Sequence, residues 1–551
     1  MGRSFKKLKH KSVILIPARA GTSNISRQNL RLVGNKPLMY YVIKSALQIT
    51  PYVYVSTDSY EIKEISKLYG AKIINRPKNL TKNSTNLEDI AYDALSKIRK
   101  ENNFEKCLIL NPKYPLIKNS TIKKFLSILS KNIQTVYGFE YNPEHQYKKI
   151  SFTGKDIGKI LNDIPNCVIT EKIVSFNTQI FLKSKKFQSP FFGLKLSENE
   201  PLALNSYHDF GILEKILNRK RIMVRVDGSD TIGLGHVHNM LTILNHFRNE
   251  EILIVMNSKN NLGQQKFQEY LYQVKTFKNN SELQNITQQF NPDIVFNDIL
   301  DTGIEYMKSI SEKKIFIVNF EDLGKGKKYA NLVFNPIYHS TKNSPNEYYG
   351  PNFACVRDEF RMWKPTKLRN IPKNVTIIFG GLDPTNKTTK ILNLIKKFQL
   401  KNIHYSVVIG HDYKERNKLL KLILKMREDN FQITLNENVD FLSKIFHESD
   451  FAITSNGRTV FELGSLHVPM IVIPVNAREN RHTFVDKYDV GYIVQLNDNL
   501  SYKKFLKSFK NMCKFNERKK FQNNLKQINL LNGVERVVST INTSYEHYNK
   551  S

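Results

Sequence analysis

Short, uninterrupted apolar runs alternate with helical patterns along the whole chain, and this alternation limits the possible folds more than any other feature. A strand that is apolar on both faces has to be covered on both sides, as in parallel sheets flanked by helices. We therefore predict an α/β protein built from parallel sheets. The predicted strands lie at residues 13–16, 53–56, 108–110, 223–226, 252–255, 294–296, 315–318, 375–379, 406–409, 451–454 and 470–473.

Two joints divide these strands into groups. Near 218–221 a helical stretch ends and a new strand opens with a glycine-rich turn, and 364–373 holds two prolines and no apolar period. At roughly 100–200 residues per domain, 551 residues correspond to about three domains. We predict domains at 1–219, 220–366 and 367–535, followed by a polar tail at 536–551.

The chain is strongly basic, with 84 Lys and Arg against 50 Asp and Glu. The lysines are spread along the chain and no nucleic-acid-binding motif is visible, so we predict anionic ligands such as nucleotide sugars, or an anionic membrane face, rather than nucleic acid. No apolar run reaches the length of a transmembrane helix, so no membrane-spanning segment is expected. The four cysteines show no disulfide or metal-site spacing, which favours a cytoplasmic location.

The first domain opens with a strand, a loop and a helix over residues 13–47, an arrangement that can offer backbone N–H groups to phosphates. Further along, the chain carries VSTD at 55–58, RP at 76–77, NP at 111–112, PL at 115–116 and FN at 176–177. In this order the motifs resemble the CMP-sialic acid synthetase (acylneuraminate cytidylyltransferase) family. The resemblance implies a Rossmann-like nucleotidyltransferase (GT-A-like) domain that would bind CTP or a CMP-sugar.

The residues that serve catalysis in that family are largely replaced. The family's two loop lysines correspond to Ser23 and Gln28, and its Asp-x-Asp pair, which holds Mg²⁺, corresponds to Ala203 and Asn205. Losing these cations and carboxylates removes the groups that neutralise and orient a triphosphate, so we predict a degenerate domain that needs Mg²⁺ only if it is active. The possible remnants of the CTP site are Arg19, Arg27, Asn29 and Asp58; the alternative is that the two arginines are solvated surface residues.

The second domain begins with a strand and a glycine-rich loop that holds Gly228, Gly233 and Gly235, followed by His236 at a helix start. Glycines allow the backbone to approach a ligand closely, and a histidine there can act as a general base near neutral pH. The alternative is a packed or capping histidine. A metal site at His236 and His238 is disfavoured because no third ligand accompanies them.

The third domain repeats this design. A strand leads to Gly380 and Gly381, and a later strand leads to Ser455, Gly457 and Thr459, with Glu462 on the helix that follows. Loop N–H groups and hydroxyls can hold a diphosphate, and a carboxylate one turn into a helix can accept both ribose hydroxyls. Glu462 could instead be an ordinary first-turn partner of the helix dipole. Two such halves predict a GT-B unit with the ligand in the cleft between them.

Residues 222–490 resemble the nucleotide-sugar hydrolase of pseudaminic acid biosynthesis, which is related to spore-coat polysaccharide proteins and MurG-type transferases. The resemblance rests on the glycine-rich loop with Asp227 and His236, and on ED at 321–322, NP at 335–336, YGP at 349–351, RDEF at 357–360 and EN at 479–480. It implies that His236 activates water, that Asp227 orients the loop and that Glu462 binds ribose. The nucleotide-sugar site would consist of Gly233, Gly235, Gly380, Gly381, Ser455, Gly457, Thr459, Glu462 and Asn480. Departures are Asn239, Asp298-Ile299-Leu300 and Arg481, where the family carries an arginine, an Asp-His-Tyr segment and a glutamine.

The leading hypothesis is a UDP-sugar hydrolase of nonulosonic acid or surface-polysaccharide biosynthesis, fused to a cytidylyltransferase-like domain. The alternatives are a glycosyltransferase with a UDP-sugar donor, a bifunctional enzyme that also makes a CMP-sugar from CTP, and a non-catalytic scaffold that binds nucleotide sugars. No cofactor is expected for the GT-B unit, and a homodimer is possible.

Overall fold

The computed structural model describes residues 12–19, 25–82, 84–141, 167–197, 199–229, 233–311, 314–340, 344–410, 413–497 and 499–550. The chain divides into two compact units, Met1–Asn218 and Arg219–Ser551. Helices and parallel strands alternate in both units, so the predicted α/β class is confirmed.

The first unit is built on one sheet of seven described strands in the order β5-β4-β1-β6-β8-β7-β9. Neighbouring strands are parallel except that β8 runs antiparallel to both β6 and β7. The strands are β1 (Ser12–Pro17), β2 (Leu32–Val33), β3 (Lys36–Pro37), β4 (Val53–Thr57), β5 (Lys72–Asn75), β6 (Lys106–Leu110), β7 (Thr135–Tyr141), β8 (Cys167–Asn177) and β9 (Phe191–Lys195), with β2 and β3 forming a small separate ribbon. The helices are α1 (Leu38–Leu47), α2 (Tyr60–Leu68), α3 (Leu87–Ile98), α4 (Asn119–Ile128), α5 (Thr178–Ser184) and α6 (Tyr207–Leu217).

The second unit contains two parallel sheets, each with helices between successive strands. The first has the order β12-β11-β10-β13-β14-β15-β16 and the second the order β19-β18-β17-β20-β21-β22. Both orders place the first strand of the sheet in its interior. Successive strands are therefore added first on one side of it and then on the other, and this switch point opens a crevice at the carboxyl ends of the strands. Two Rossmann-like halves of this kind make the predicted GT-B unit.

The first half contains β10 (Arg221–Val226), α7 (Gly235–Leu244), β11 (Glu251–Asn257), α8 (Asn261–Glu269), β12 (Val274–Phe277), α9 (Asn280–Phe290), β13 (Ile294–Asp298), α10 (Ile304–Ser311), β14 (Phe316–Phe320), β15 (Leu332–Asn335) and β16 (Glu347–Tyr349). The second half contains β17 (Asn374–Ile378), α11 (Lys387–Lys397), β18 (His404–Ile409), α12 (Arg416–Glu428), β19 (Gln432–Glu437), α13 (Leu442–His447), β20 (Phe451–Thr454), α14 (Thr459–Ser465), β21 (Met470–Val472), α15 (Phe484–Lys487) and β22 (Gly491–Ile493). The C-terminal helices are α16 (Asn499–Met512), α17 (Phe515–Lys526) and α18 (Gly533–Lys550). Short 3₁₀ helices lie at Gln28–Leu30, Lys78–Leu80, Lys325–Tyr329, Pro351–Phe353, Asp358–Met362 and Glu479–Arg481.

The segment predicted as a polar tail, 536–551, lies instead almost wholly in helix α18. Val534, Val537 and Ile541 recur at helical spacing, and all three are buried against the core of the first half. The Phe316 ring on β14 also contacts Tyr545 of this helix, with 5.6 Å between ring centroids. The chain therefore returns from the second half, and α18 covers the core of the first half. The prediction of a tail relied on the polar composition of this segment and overlooked its helical spacing of apolar residues.

We expect Ile541→Ala to lower the free energy of unfolding of the second unit by about 2–5 kcal/mol, because it removes a fully buried side chain from a packed core. The measurement is urea unfolding followed by the fluorescence of Trp363, the single tryptophan of the chain. Thr543→Ala, on the exposed face of the same helix, is the control and should change stability by less than about 0.5 kcal/mol. Equal unfolding midpoints for the two variants would contradict the packing role.

Candidate functional site

His236 pairs with an aspartate that projects from the neighbouring strand. The registers of β10 and β13 place Val226 beside Asp298, so the turn after β10 and the end of β13 meet at one edge of the sheet. His236 lies in the first turn of α7, and its Nδ1 is 2.5 Å from Oδ1 of Asp298. His236 is 7% exposed and Asp298 is fully buried. Nε2 of His236 has no hydrogen-bond partner among the described residues and is not one of the fully buried nitrogen atoms.

Three groups, His236, Asn239 and Arg458, keep Asp298 ionised. Asn239 donates from Nδ2 to Oδ2 at 2.7 Å, and Nη2 of Arg458 lies 3.6 Å from the same oxygen. Burial raises the pKa of Asp298, but the neighbouring His236 and Arg458 charges outweigh this and leave the pKa below its usual value. An ionised Asp298 can only accept, so Nδ1 of His236 carries the proton and donates it.

The pKa of His236 is set by opposing effects. Burial lowers it, while the carboxylates of Asp298 and, more weakly, Glu321 raise it, and the net result is a pKa above the usual value of histidine. The sequence-based prediction placed a base at this position, and the structure adds the carboxylate that orients it. Asp298 and Asn239 were read from the sequence only as departures from the family.

Asp227, predicted to orient the loop, lies at the end of β10. It accepts two hydrogen bonds from Arg225, at 2.6 and 3.1 Å, and one from Asn260. Within the described residues no hydrogen bond joins Asp227 to His236. It therefore fixes the start of the glycine-rich turn rather than the histidine itself.

The glycines of the turn have distinct roles. A Cβ on Gly228 would lie 2.6 Å from Val237, so this glycine allows α7 to pack against the turn. Gly233 has a φ of 80°, which favours glycine, and Gly235 opens α7, where a Cβ would lie 3.8 Å from Cδ of Arg458. In the second half Gly380 has a φ of 73° with open space where a Cβ would be, and the carbonyl of Gly381 accepts from the backbone N–H of Gly410 at 2.9 Å.

The residues predicted to bind the nucleotide gather after β20 and β21. Ser455 is buried, and Gly457 and Thr459 are half-buried. Their loop is held by Glu479, whose carboxylate accepts from the backbone N–H groups of Asn456 and Val475 at 3.0 Å each.

Two further predicted binding residues have protein partners of their own. Glu462 accepts a hydrogen bond from Nε of Arg357 at 2.7 Å, so its carboxylate is ion-paired with that guanidinium. Asn480 accepts from Gln495 at 2.9 Å. Their proposed roles toward ribose and the nucleotide sugar stay predictions.

An arginine that sequence reasoning did not single out joins the two halves at this crevice. Arg458 belongs to the loop after β20, yet its Nη2 lies 3.0 Å from Oε1 of Glu321 at the end of β14, as well as near Asp298. No local pattern marks such a contact, because it depends on how the two halves meet.

The four predicted CTP-site remnants of the first unit mostly have local partners. Arg19 donates to the carbonyl of Thr81 at 3.2 Å, and Asn29 donates to the carbonyl of Arg19 at 3.1 Å. Arg27 forms an exposed ion pair with Glu61, and Asp58 is exposed. Asn29 thus fixes the backbone of this loop, and the role of the four residues toward CTP stays a prediction.

The described positions that differ from the cytidylyltransferase family, Gln28, Ala203 and Asn205, carry no carboxylate that could bind magnesium. Gln28 is buried and donates to the carbonyl of Leu204 at 2.5 Å. Oδ1 of Asn205 accepts a hydrogen bond from Nζ of Lys113 at 3.4 Å. Ala203 has no ligand atom, and the nearby Asp209 accepts from two backbone N–H groups as a helix cap. Ser23 lies outside the described residues.

Over the whole described part of the chain, no three His, Cys, Asp or Glu side chains are grouped so as to hold a metal ion. In the same residues no helix is both long and apolar enough to cross a membrane.

Comparisons with known proteins give matches to the N-terminal domain and to most of the chain. Residues 13–170 match a family model described as Cytidylyltransferase. An uncharacterized protein of Methanocaldococcus jannaschii is 30% identical over 274 residues, which is 46% of this chain and 56% of that protein, so this chain spans little more than half of that relative. The pseudaminic acid cytidylyltransferase and UDP-2,4-diacetamido-2,4,6-trideoxy-beta-L-altropyranose hydrolase of Helicobacter pylori is 24% identical over 504 residues, covering 85% of this chain and 89% of that protein.

Among solved structures, MurG of Acinetobacter baumannii aligns with 59% of this chain and 99% of its own, at 13% identity and a TM-score of 0.44. The family model and the Helicobacter pylori relative confirm the resemblances predicted from the sequence: residues 13–170 match the cytidylyltransferase model, and most of the chain is similar to a protein that joins a cytidylyltransferase to a UDP-sugar hydrolase.

Proposed function

We propose that the second unit hydrolyses a UDP-sugar, with His236 as the general base. The observation that carries this proposal is the His236–Asp298 pair at the carboxyl ends of two neighbouring parallel strands, opposite a loop from the other half. An imidazole with one nitrogen fixed by a carboxylate and the other available is the arrangement that proton abstraction requires.

The chemistry follows from the tautomer. Nδ1–H of His236 donates to Asp298, which leaves Nε2 free to take a proton from a water molecule. The water oxygen forms a bond to the anomeric carbon of the sugar as the bond between that carbon and the diphosphate oxygen breaks. UDP leaves with the bonding electron pair, and the proton resides on the imidazolium, which Asp298 stabilises. In this proposal the hydrolase unit needs no metal or organic cofactor.

The test is the release of UDP from a panel of UDP-sugars in the absence of any acceptor. A hydrolase releases UDP from at least one of them, whereas a glycosyltransferase with the same base needs an acceptor hydroxyl. UDP release that depends strictly on an added acceptor would overturn hydrolysis in favour of transfer.

For the first unit we propose a domain that keeps the cytidylyltransferase fold but has lost the metal-dependent transfer. Ala203 and Asn205 stand where the resemblance implies magnesium carboxylates, and Gln28 stands where it implies a loop lysine that would meet the triphosphate. The domain would still bind CTP or a CMP-sugar through the groups that remain. A homodimer stays a prediction, which sedimentation velocity would test.

We expect the full chain, incubated with CTP, Mg²⁺ and a panel of nonulosonic acids, to release no more pyrophosphate than a reaction without protein. The reason is that Ala203 and Asn205 offer no carboxylate to magnesium and Gln28 offers no cation to the triphosphate. Pyrophosphate release that requires both CTP and Mg²⁺ would contradict this and would favour a bifunctional enzyme.

A further inference from the structure

Arg458 has hydrogen-bonding capacity that its surroundings do not use. Its side chain is 19% exposed, and it donates no hydrogen bond to any described residue. Its Nη2 is buried and close to Glu321 and Asp298, but not aligned with either as a hydrogen bond. A guanidinium carries five donors in a rigid fork, and buried donors of this kind are normally satisfied.

Glu321 is unusual in the same way. It is 5% exposed, and its Oε1 has no hydrogen-bond partner among the described residues although it faces Arg458 at 3.0 Å. Its backbone has a φ of 52°, in the left-handed region that a residue with a Cβ adopts at a cost. Strained residues of this kind cluster at functional sites.

The position of Arg458 connects three parts of the crevice. Its backbone belongs to the loop of Ser455 and Thr459, and its Cδ would lie 3.8 Å from a Cβ placed on Gly235, next to His236. Its guanidinium reaches the partner of His236 on the other side. Arg458 therefore lies beside the turn of His236 and within the loop predicted to hold the diphosphate.

We propose that Arg458 binds the diphosphate of the nucleotide sugar, and that Asp298 and Glu321 hold its guanidinium in place until the diphosphate arrives. This rests on the proposed function. Phosphate oxygens match the guanidinium fork and form charge-assisted hydrogen bonds, whereas the two carboxylates meet it off-angle. Glu321 is thus a competitor of the ligand, and Arg458 links the leaving group to the histidine pair.

The test compares the binding of UDP with that of uridine, which lacks the diphosphate, to the full chain. Arg458→Gln should weaken UDP binding by about 10-fold or more, which corresponds to the loss of one charge-assisted contact, and leave uridine binding unchanged. Arg458→Lys, which keeps the charge but not the fork, should retain part of the UDP affinity. Glu321→Gln should strengthen UDP binding, because it removes the competing carboxylate.

Arg478→Gln is the matched control. Arg478 also crosses from the second half to the first, where it binds Asp301 and the carbonyl of Glu321, but it does not contact Asp298. We expect this variant to leave the ratio of UDP to uridine affinity unchanged. If Arg458→Gln does not fold, Arg458→Lys decides, with weaker UDP binding and unchanged uridine binding as the expected result.

Several results would overturn the proposal. They are unchanged UDP affinity in the Arg458 variants, an equal loss for UDP and uridine, or UDP binding in Glu321→Gln that is no stronger than in the wild type. If the wild type hydrolyses a UDP-sugar and these results are obtained, only the role of Arg458 fails. If the wild type binds no UDP, the proposed function fails and this inference fails with it.

Discussion

Replacing His236 by glutamine is expected to lower kcat for UDP release by about 10²- to 10⁴-fold, the usual contribution of a general base. Glutamine keeps a polar side chain beside Asp298 but cannot take up the proton that water loses. The measurement is UDP release from the best UDP-sugar of the panel, with Trp363 fluorescence as a check on folding.

The matched control is His238→Gln. His238 lies on the same helix, but burial and the nearby cations Arg357 and Lys266 lower its pKa to about 4, so it stays neutral, and no hydrogen bond joins it to Asp298 among the described residues. We expect kcat to stay within a few-fold of the wild type. Equal losses in the two variants would show that packing of α7, rather than proton transfer, explains the effect.

The apolar runs located the central strands because their signal is local. Each apolar run that was predicted to be a strand corresponds to a strand of the structure, since a strand buried on both faces has to be apolar throughout. Edge strands gave weaker signals: Gln432–Glu437 alternates polar and apolar residues, and Gly491–Ile493 is very short. The strand Cys167–Asn177 runs antiparallel to both of the strands beside it. No single run of residues encodes that arrangement.

The candidate site was only partly predictable for a related reason. His236 follows a glycine-rich turn and could be found from neighbouring residues. Asp298 lies 62 positions away, yet a signal existed, because an acidic residue ends an apolar run and the fourth strand of such a sheet adjoins the first. Arg458 gave no such signal, since its contact with Asp298 and Glu321 depends on the packing of one half against the other.

Asp298→Asn should lower kcat by about 10²- to 10⁴-fold through the wrong histidine tautomer, as in other carboxylate–histidine pairs. Asn239 donates to one oxygen of residue 298, and the Arg458 guanidinium lies beside the same oxygen. The carbonyl of the new amide would therefore face these two donors, and its NH₂ group would face His236. Nδ1 would then have to accept, the proton would move to Nε2, and Nε2 could no longer take a proton from water.

The pH dependence gives a second readout of the same pair. Catalysis needs a neutral His236, so activity in the wild type falls as the pH drops through a pKa that lies above the usual value of about 6.5. Without the Asp298 carboxylate, burial and the Arg458 charge lower that pKa and only the more weakly acting Glu321 still raises it, so the residual activity of Asp298→Asn should fall only at lower pH. The kcat–pH profiles of the two proteins measure this shift.

Adding Asn239→Asp to Asp298→Asn separates the tautomer from the loss of charge. The new carboxylate at 239 accepts from the NH₂ group at 298, which turns the amide so that its carbonyl faces Nδ1–H of His236 again. We expect the double variant to regain part of the lost kcat, although Asn239→Asp alone places two carboxylates side by side and should lower it. A double variant no more active than Asp298→Asn would mean that the charge of Asp298, rather than the proton position it imposes, supports the reaction.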